Sequence, residues 1–349
     1  MSSKKRFYML DALRGLAALI VLLLHLGGRP SLIVSGGYLA VDLFFVLSGF
    51  VLAQAYGEQN LSFASFLGIR LIRLYPLYIC GTVIGVLAFA IQSPEIGILS
   101  SLGFNAFFLP TPFYLPAIVG ETGSLFPFNP AAWSLFYELA VNIAWFALIP
   151  LLTTKRLHIL CVLAAALLVA ATYVHHSVGL GTSWPSFWGG FCRAPYSFFM
   201  GVAAYRLWRS GAVKLRIPGW LIIILTLGVF VLPPILWLHA GAILFLIPLI
   251  VLAGAMIDPS KSLVPLCALL GNMSYAVYAI HTPIIALVNL AVRAVLAHSS
   301  LANTIIGDHV SLAITPLTLL AAIGGALLLD KYYDTPLRAW LTQLSKRGG

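Results

Sequence analysis

Arg14 and His25, both in the first apolar stretch LDALRGLAALIVLLLH, carry side chains that could do chemistry. They lie eleven residues apart, which is about 1,100° of helical rotation and about 16 Å of rise, so a helix places both on one face without letting them touch. An arginine inside a membrane span costs about 3 kcal/mol to insert, so it usually faces the protein interior and marks a pathway or a site. The aligned pair therefore indicates a site along which a long, thin ligand could lie.

Each side chain also has a structural interpretation. An imidazole can accept a proton from an attacking hydroxyl or carry an acyl group, but a core histidine can simply hydrogen-bond a neighbouring helix. The Arg14 guanidinium suits phosphate oxygens and Asp11 could orient it, although arginines near a span boundary also reach out to the interface. Because Arg14 and His25 share a face, we favour chemistry at His25 and ligand binding at Arg14.

A second basic pair, Arg70 and Arg73, lies at helical spacing before the third apolar stretch. Such pairs commonly anchor a span at lipid headgroups. They could equally bind the phosphates of a cofactor, although the sequence contains no glycine-rich phosphate loop.

Three further charged residues, Asp42, Glu138 and Arg193, lie within apolar stretches or at their ends. A carboxylate is costly to bury there without a partner. Asp42 could pair with a cation or hydrogen-bond the turn before it. Glu138 could orient His25 or accept the proton of an acceptor hydroxyl. Arg193 could contact a sugar or an acidic side chain.

His281 is followed by Thr282 and Pro283 within the ninth apolar stretch. Proline frees a backbone carbonyl and breaks a helix, and breaks at membrane depth occur only where protein or a water-filled cavity covers them. The motif therefore predicts a break that is either a structural kink or part of the same site. Hydroxyl-bearing neighbours, among them Tyr275, favour the second interpretation.

The amino-acid composition indicates the class of protein that contains these residues. Apolar residues make up 61% of the chain and charged residues 9%, and the mean hydropathy is +1.00. This predicts an all-α, polytopic membrane protein with about ten transmembrane helices in one domain over residues 1–349. The net charge of +10 is dispersed, so we expect a lipid bilayer and no nucleic acid as partner. The cysteines stand singly and the histidines lack ligand spacing, so we expect neither disulfides nor a metal.

Hydropathy also places the spans. We predict them at about 7–28, 37–56, 74–91, 131–152, 157–174, 189–208, 220–236, 240–257, 266–297 and 310–329. A tight turn is expected near His239, and an interfacial or re-entrant helix at about 96–109. With the amino terminus inside, the inner segments hold sixteen Lys and Arg residues and the outer loops one, which predicts that both termini, including the basic tail after residue 330, are cytoplasmic. We interpret the opening SSKKR and the apolar run after it as an uncleaved first span.

Short motifs occur along the chain in a fixed order. They are DALRG at 11–15, GYLAVDLFFVLSGF at 37–50, RLIRLYP at 70–76, WSLFYE at 133–138, RAPYSFFMGVAAYRL at 193–207, GNMSYAVYAIHTP at 271–283 and YYDTPLRAW at 332–340. Together with His25, they resemble the acyltransferase-3 family of integral membrane acyltransferases over essentially the whole chain.

The resemblance implies transfer of an acyl group, most often acetyl from cytoplasmic acetyl-CoA, to a carbohydrate hydroxyl at or beyond the membrane. Arg14 and His25 match the functional Arg-x10-His signature of the family, and the position of Arg70 and Arg73 before Leu-Tyr-Pro also matches. Some members carry a carboxy-terminal hydrolase-like domain. This chain ends at Gly349 without one, so we expect it to act alone or with a separate periplasmic transferase partner.

Two hypotheses follow. The first is a bacterial inner-membrane acyltransferase with His25 and Glu138 as catalytic residues and Arg14, Arg70 and Arg73 as donor-binding residues. The substrate-binding or supporting residues are then Asp11, Asp42, Arg193, Tyr275 and His281. The second is a transporter or flippase for a glycan or acyl-bearing substrate, whose buried charges and broken helices would line a path. The resemblance and the lack of an inverted repeat favour the first. The acceptor (surface polysaccharide, lipopolysaccharide or glycan precursor), the acyl chain length, a covalent intermediate on His25 and the oligomeric state stay open.

Overall fold

A computed structural model describes residues 5–92, 98–112, 115–119, 123–297 and 308–347, with the backbone alone at 28–30, 296–297, 308–314 and 347. The α-helices in these residues are α1 Tyr8–His25, α2 Gly28–Ile33, α3 Ala40–Tyr56, α4 Phe63–Gln92, α5 Ile98–Ala106, α6 Trp133–Leu148, α7 Thr154–His175, α8 Phe187–Ser210, α9 Gly219–Phe230, α10 Leu236–Gly241, α11 Ile247–Ala255, α12 Val264–Ala297, α13 Asp308–Leu329 and α14 Thr335–Arg347. The described chain contains no β-strand, so the predicted all-α class is confirmed.

Seven helical segments of the described chain are long and apolar enough to cross a membrane, which confirms the polytopic class but is fewer than the ten predicted spans. They are Tyr8–His25, Gly37–Tyr56, Phe63–Gln92, Pro130–Leu151, Thr154–His175, Leu236–Ala255 and Val264–Val295. Of the other predicted spans, α9 has only 12 residues, about 18 Å of helix against an apolar bilayer core of about 30 Å. The helix α8 contains Arg193, Arg206 and Arg209, which lower its hydropathy. The location of the termini stays a prediction.

The chain turns before His239 rather than at it. The helix α9 ends at Phe230, and a connection with two prolines, Pro233 and Pro234, leads to α10. His239 therefore lies inside a helix, and a π-helical turn at Ala242–Leu246 continues α10 into α11. The predicted turn near His239 is wrong because the proline pair, which cannot continue a helix, lies earlier.

The first of two compact units comprises Met1–Ile20, Val34–Leu67 and Tyr137–Ser274. At its centre α3 packs along α8, and α7 and α11 also pack against α8. A Cβ added to Gly49 would collide with the carbonyl of Phe198, and one added to Gly201 with the carbonyl of Val46. Small residues at such crossings let two helix backbones approach closely within a membrane.

The second compact unit comprises Val21–Ile33, Gly68–Phe136 and Tyr275–Gly349. Its core joins Ala88 and Phe89 of α4, Ile118 and Phe128 of the connection before α6, and Ala286 of α12. The backbone of that connection comes so close to α4 that a Cβ on Gly85 would collide with the carbonyl of Phe128. The irregular segment before α6 is thereby held against helices of the same unit. The prediction of one domain over residues 1–349 stays a prediction.

The second unit also contains the junction between α13 and α14, a π-helical turn at Asp330–Asp334. The carboxylate of Asp334 is buried and lies 2.7 Å from Nε of Arg338, while Asp330 lies 3.6 Å from Nη2 of the same arginine. Burial raises the pKa of Asp334 to about 6, although the positive charges of Arg338 and Arg73 act in the opposite direction. This junction therefore holds a carboxylate that binds a proton more readily than an exposed one.

Candidate active site

In the second unit, His25 and His281 face each other. His25 is the last residue of α1 and is half-buried, and its Nδ1 lies 2.8 Å from the carbonyl oxygen of Val21. His281, on α12, is completely buried, and its Nδ1 lies 2.8 Å from the carbonyl oxygen of Tyr278. The two rings meet at 3.3 Å between Nδ1 of His25 and Nε2 of His281.

These contacts determine which ring nitrogens carry hydrogen. A carbonyl oxygen only accepts, so Nδ1 of each histidine must be the donor. Nε2 of a neutral His281 then carries a lone pair, and the single Nδ1–H of His25 is shared between the Val21 carbonyl at 2.8 Å and this nitrogen at 3.3 Å. The lone pair of His25 lies on Nε2, which has no hydrogen-bond partner within the described ranges. In its neutral form His25 therefore presents an Nε2 that is not hydrogen-bonded and can accept a proton.

The helix that carries His281 continues through Pro283. The predicted break at 281–283 is wrong, since α12 runs without interruption from Val264 to Ala297. The carbonyl of Ala279, four residues before the proline, accepts a hydrogen bond of 2.8 Å from the side-chain amide of Asn129. Asn129 thus replaces the donor that proline lacks. The sequence analysis did not single out this residue.

Tyr275, Arg70 and Arg73 also belong to the second unit. The guanidinium of Arg73 lies 5.1 Å from the ring centroid of Tyr275, and the Tyr275 hydroxyl donates to the carbonyl of Leu74. Arg70 and Arg73 lie one turn apart on α4, and both are half-buried. Tyr275 therefore positions Arg73, and binding of cofactor phosphates by the two arginines stays a prediction.

In the first unit, Arg14 belongs to a cluster with Arg6 and Asp11. The carboxylate of Asp11 accepts from Nε of Arg6 at 2.7 Å and from Nη2 of Arg14 at 3.2 Å. Nη2 of Arg14 also donates to the carbonyl of Gly271 at 2.9 Å, and its side chain is 32% exposed. Two arginines share one carboxylate, so the cluster keeps a net positive charge and is suited to an anionic ligand.

Glu138 is half-buried at the start of α6 in the first unit. Its carboxylate accepts a hydrogen bond of 2.9 Å from the hydroxyl of Ser48 on α3 and attracts the Arg14 guanidinium electrostatically. Glu138 and Asp11 thus both attract the Arg14 guanidinium. A role for Glu138 in orienting His25 or in proton transfer stays a prediction.

Asp42 and Arg193 form a buried ion pair in the first unit. Their side chains are 0% and 1% exposed, and Nη2 of Arg193 lies 2.6 Å from the Asp42 carboxylate. Asp42 also accepts from the hydroxyl of Ser197 at 3.1 Å, and Arg193 donates to the carbonyl of Tyr38 at 3.0 Å. Of the alternatives that the sequence left open, these contacts correspond to pairing with a cation for Asp42 and contact with an acidic side chain for Arg193.

Metal ligation has no support in the geometry of the described ranges, since no group of three or more His, Cys, Asp or Glu side chains there could hold an ion. The four cysteines, Cys80, Cys161, Cys192 and Cys267, are free thiols, as predicted. The histidine pair and the arginine clusters are polar groups that could bind or activate a ligand without a metal.

Comparison with known proteins identifies the class to which this fold and these residues belong. A family model described as an acyltransferase domain matches residues 7–331, so the chain belongs to the acyltransferase-3 family of integral membrane acyltransferases. The resemblance inferred from the motifs is confirmed, and the protein is an acyltransferase enzyme.

Individual relatives show what this chain is similar to. Protein 2 in the picA locus of Rhizobium radiobacter is 39% identical over 194 residues, which are 49% of this chain and 97% of the relative. The O-acetyltransferase OatA of Staphylococcus aureus is 25% identical over 80% of this chain and 51% of its own length. The putative peptidoglycan O-acetyltransferase YrhL of Bacillus subtilis is 35% identical over 39% of this chain and 22% of its own length. The chain thus spans about half of OatA and about a fifth of YrhL. No solved structure matches it significantly.

Proposed function

We propose that this acyltransferase moves an acetyl group from acetyl-CoA to a hydroxyl of a carbohydrate, with His25 as the general base. The observation that carries the proposal is the free lone pair on Nε2 of His25, held in that tautomer by Val21 and His281. Two relatives named as O-acetyltransferases support acetyl as the group transferred. The Bacillus relative is named for peptidoglycan, a polymer with sugar hydroxyls, which supports a carbohydrate acceptor.

The chemistry assigned to His25 is a proton transfer. Nε2 of His25 takes the proton of the acceptor hydroxyl while that oxygen attacks the thioester carbonyl carbon, so a C–O bond forms and the C–S bond breaks. The resulting imidazolium returns the proton to the departing thiolate. His281 stabilises the imidazolium by accepting from its Nδ1–H, much as a carboxylate does for the histidine of a catalytic triad.

Donor binding is assigned to the basic residues of each unit. The Arg6–Asp11–Arg14 cluster keeps a net positive charge, and Arg70 and Arg73 present two guanidinium groups one turn apart. Planar guanidinium groups bind phosphate oxygens through paired hydrogen bonds. Acetyl-CoA supplies both the activated acyl group and the phosphates that these residues would hold. The proposal places the enzyme in a bacterial cytoplasmic membrane, acting alone or with a separate periplasmic transferase.

The test is acetyl transfer from radiolabelled acetyl-CoA into the carbohydrate fraction of membranes that contain the protein. We expect label with the wild type and a fall of about 10²- to 10⁴-fold with His25→Ala, the range that a general base contributes. His175→Ala is the matched control, because His175 is exposed at the end of α7 and its loss should leave transfer unchanged.

Three outcomes would contradict parts of the proposal. Full transfer by His25→Ala would show that His25 is not the general base. Label that enters lipid or protein instead of carbohydrate would show that the acceptor is not a carbohydrate. Faster transfer from butyryl-CoA than from acetyl-CoA would replace the acetyl group by a longer chain.

A further inference from the structure

A proline inside a buried helix leaves one carbonyl without its usual donor. Pro283 lacks an N–H, so the carbonyl of Ala279, one turn earlier, has no partner within α12. Ala279 and its neighbour Ile280 are both 0% exposed, so this carbonyl must find a donor inside the protein.

Asn129 supplies that donor from the irregular segment before α6. Its side-chain Nδ2 donates to the Ala279 carbonyl at 2.8 Å, and its Oδ1 accepts from the hydroxyl of Thr282 at 3.0 Å. The orientation of the amide follows from these partners, because a carbonyl can only accept. Asn129 is 1% exposed, so both of its contacts are made within the protein. Asn129 thus closes a bridge across the turn that contains His281.

The surroundings of this bridge are tight. A Cβ added to Gly81 of α4 would lie 2.7 Å from the Ala279 carbonyl oxygen and 2.9 Å from Nδ2 of Asn129. A second link lies one turn earlier on α12, where the hydroxyl of Tyr278 lies 2.5 Å from that of Ser134 and donates to the Ala131 carbonyl at 3.1 Å. The segment at 129–134 therefore holds the turn at 278–282 at two points.

The held turn is the one that carries His281. Its ring bonds to the carbonyl of Tyr278 and faces His25 across 3.3 Å. A small rotation of this turn would carry Nε2 of His281 out of reach of Nδ1 of His25, because hydrogen bonds weaken quickly beyond about 3.2 Å. At 3.3 Å the contact is already slightly longer than this limit, so it tolerates little further movement of the α12 backbone.

We propose that Asn129 is a positioning residue of this enzyme, which replaces the missing N–H of Pro283 and thereby holds His281 against His25. The inference rests on the proposed function in one respect, the use of His25 as the base. Asn129 touches neither reacting group, so its effect on turnover passes through His281.

The experiment uses Asn129→Leu, which keeps the side-chain size but removes the donor, and Pro283→Ala, which restores a backbone N–H to the Ala279 carbonyl. We expect Asn129→Leu to lower kcat about tenfold per folded protein and to leave KM for acetyl-CoA within about twofold. The double variant Asn129→Leu/Pro283→Ala should recover most of the lost kcat, because the new N–H takes the place of the amide. A residue that merely filled space would show no such rescue.

Asn142→Leu is the matched control. Asn142 lies on α6 and is also completely buried, but its side-chain nitrogen and oxygen have no partner among the described residues. We expect this variant to keep full kcat, with or without Pro283→Ala.

The thermal midpoint of each variant gives a readout that does not depend on activity. If Asn129→Leu lowers the midpoint and Pro283→Ala restores it while kcat never changes, the bridge exists but does not position His281, and the proposal is overturned. If Pro283→Ala rescues neither quantity, the bridge itself is refuted. Full activity of His25→Ala in the same assay would instead refute the proposed function, so the two failures are distinguishable.

Discussion

Each of the two units contains a pair of ionisable side chains that contact each other. The pairs differ in whether a nitrogen or oxygen atom is left without a hydrogen-bond partner. In the first unit, Asp42 and Arg193 are both charged and bind each other, and Ser197 and the Tyr38 carbonyl add further hydrogen bonds. In the second unit, Nδ1 of His25 and Nδ1 of His281 each donate to a backbone carbonyl, and Nε2 of His25 has no hydrogen-bond partner in the described chain. A buried ion pair whose charged groups bind each other leaves neither charge available to a ligand, whereas a histidine nitrogen without a hydrogen-bond partner can accept a proton.

The difference teaches how to rank polar residues within a membrane protein. Both pairs look alike in the sequence, where each is an ionisable group in an apolar stretch and therefore a candidate for function. Only the contacts separate them. The ion pair should matter for folding and the histidine pair for turnover.

The largest expected effect would come from breaking the ion pair. Asp42→Leu leaves Arg193 buried without its carboxylate, which should lower the free energy of unfolding by about 3–5 kcal/mol. The double variant Asp42→Leu/Arg193→Met removes both charges and should recover most of this loss. Thermal unfolding of the purified proteins in detergent, with the yield of folded protein from size exclusion, measures both effects.

The exposed ion pair of the same unit is the control for this experiment. Arg209 and Glu58 bind each other with side chains that are 51% and 69% exposed, and Glu58→Ala should leave the thermal midpoint unchanged, because water screens such pairs. If the double variant were as unstable as Asp42→Leu, the loss of stability would not come from an unpaired charge on Arg193. The ion pair would then have a role other than mutual neutralisation, which would contradict the comparison with the histidine pair.

Changes to the histidine pair should affect acetyl transfer more than stability, in contrast to changes in the ion pair. His281→Leu removes the acceptor of the His25 Nδ1–H, and we expect acetyl transfer per folded protein to fall about tenfold, the equivalent of about 1.4 kcal/mol in the activation barrier. His239→Leu in the first unit is the matched control, because His239 is equally buried and contacts the hydroxyl of Tyr38. Equal losses of transfer in the two variants would show that buried histidines of this protein act only through the fold.

The smallest expected effect concerns Asp334 and the pH dependence of stability. Its pKa is about 6 in the folded protein against an ordinary value of 3.8, so between these values the folded state binds the proton more tightly than the unfolded chain. Stability should therefore decrease as the pH rises from about 4 to about 6. Asp334→Asn should flatten this slope of the thermal midpoint against pH, whereas Asp330→Asn should only reduce it, because the Asp330 charge contributes less than burial to the raised pKa of Asp334. If the slope were unchanged in Asp334→Asn, the pH dependence of the thermal midpoint would have to come from another titratable group.

The sequence predicted those features that depend on local pattern. The apolar runs at 7–28 and 37–56 became α1, Tyr8–His25, and the helical span Gly37–Tyr56, because polar turns bound each run. Within the described residues, hydropathy predicted more spans than there are long apolar helices, since an apolar run such as Trp220–Leu236 looks the same whether its helix has 12 residues or is long enough to cross a membrane. The proline pair at 233–234 is visible in the sequence and predicts the end of that helix better than hydropathy does.

Contacts between segments that are distant along the chain could not be predicted from the sequence. The type of partner for Asp42 could be foreseen, but not which cation, since Arg193 lies 151 residues away. Asn129 gave no signal of its own in a region rich in Pro, Gly and Phe. Pro283 implied that some donor must reach the Ala279 carbonyl, and 150 residues separate that carbonyl from its donor. Nothing in the sequence alone selects one amide among many.

The close approach of α3 and α8 at Gly49 and Gly201 has a consequence for motion. Each glycine lies against a backbone carbonyl of the other helix, so sliding or rotation of one helix against the other would cause steric clashes between their backbones. Lids and hinges of enzymes open in microseconds to milliseconds. Over those times we expect α3 and α8 to move as one rigid body, so flexibility within the first unit must come from its other helices and loops.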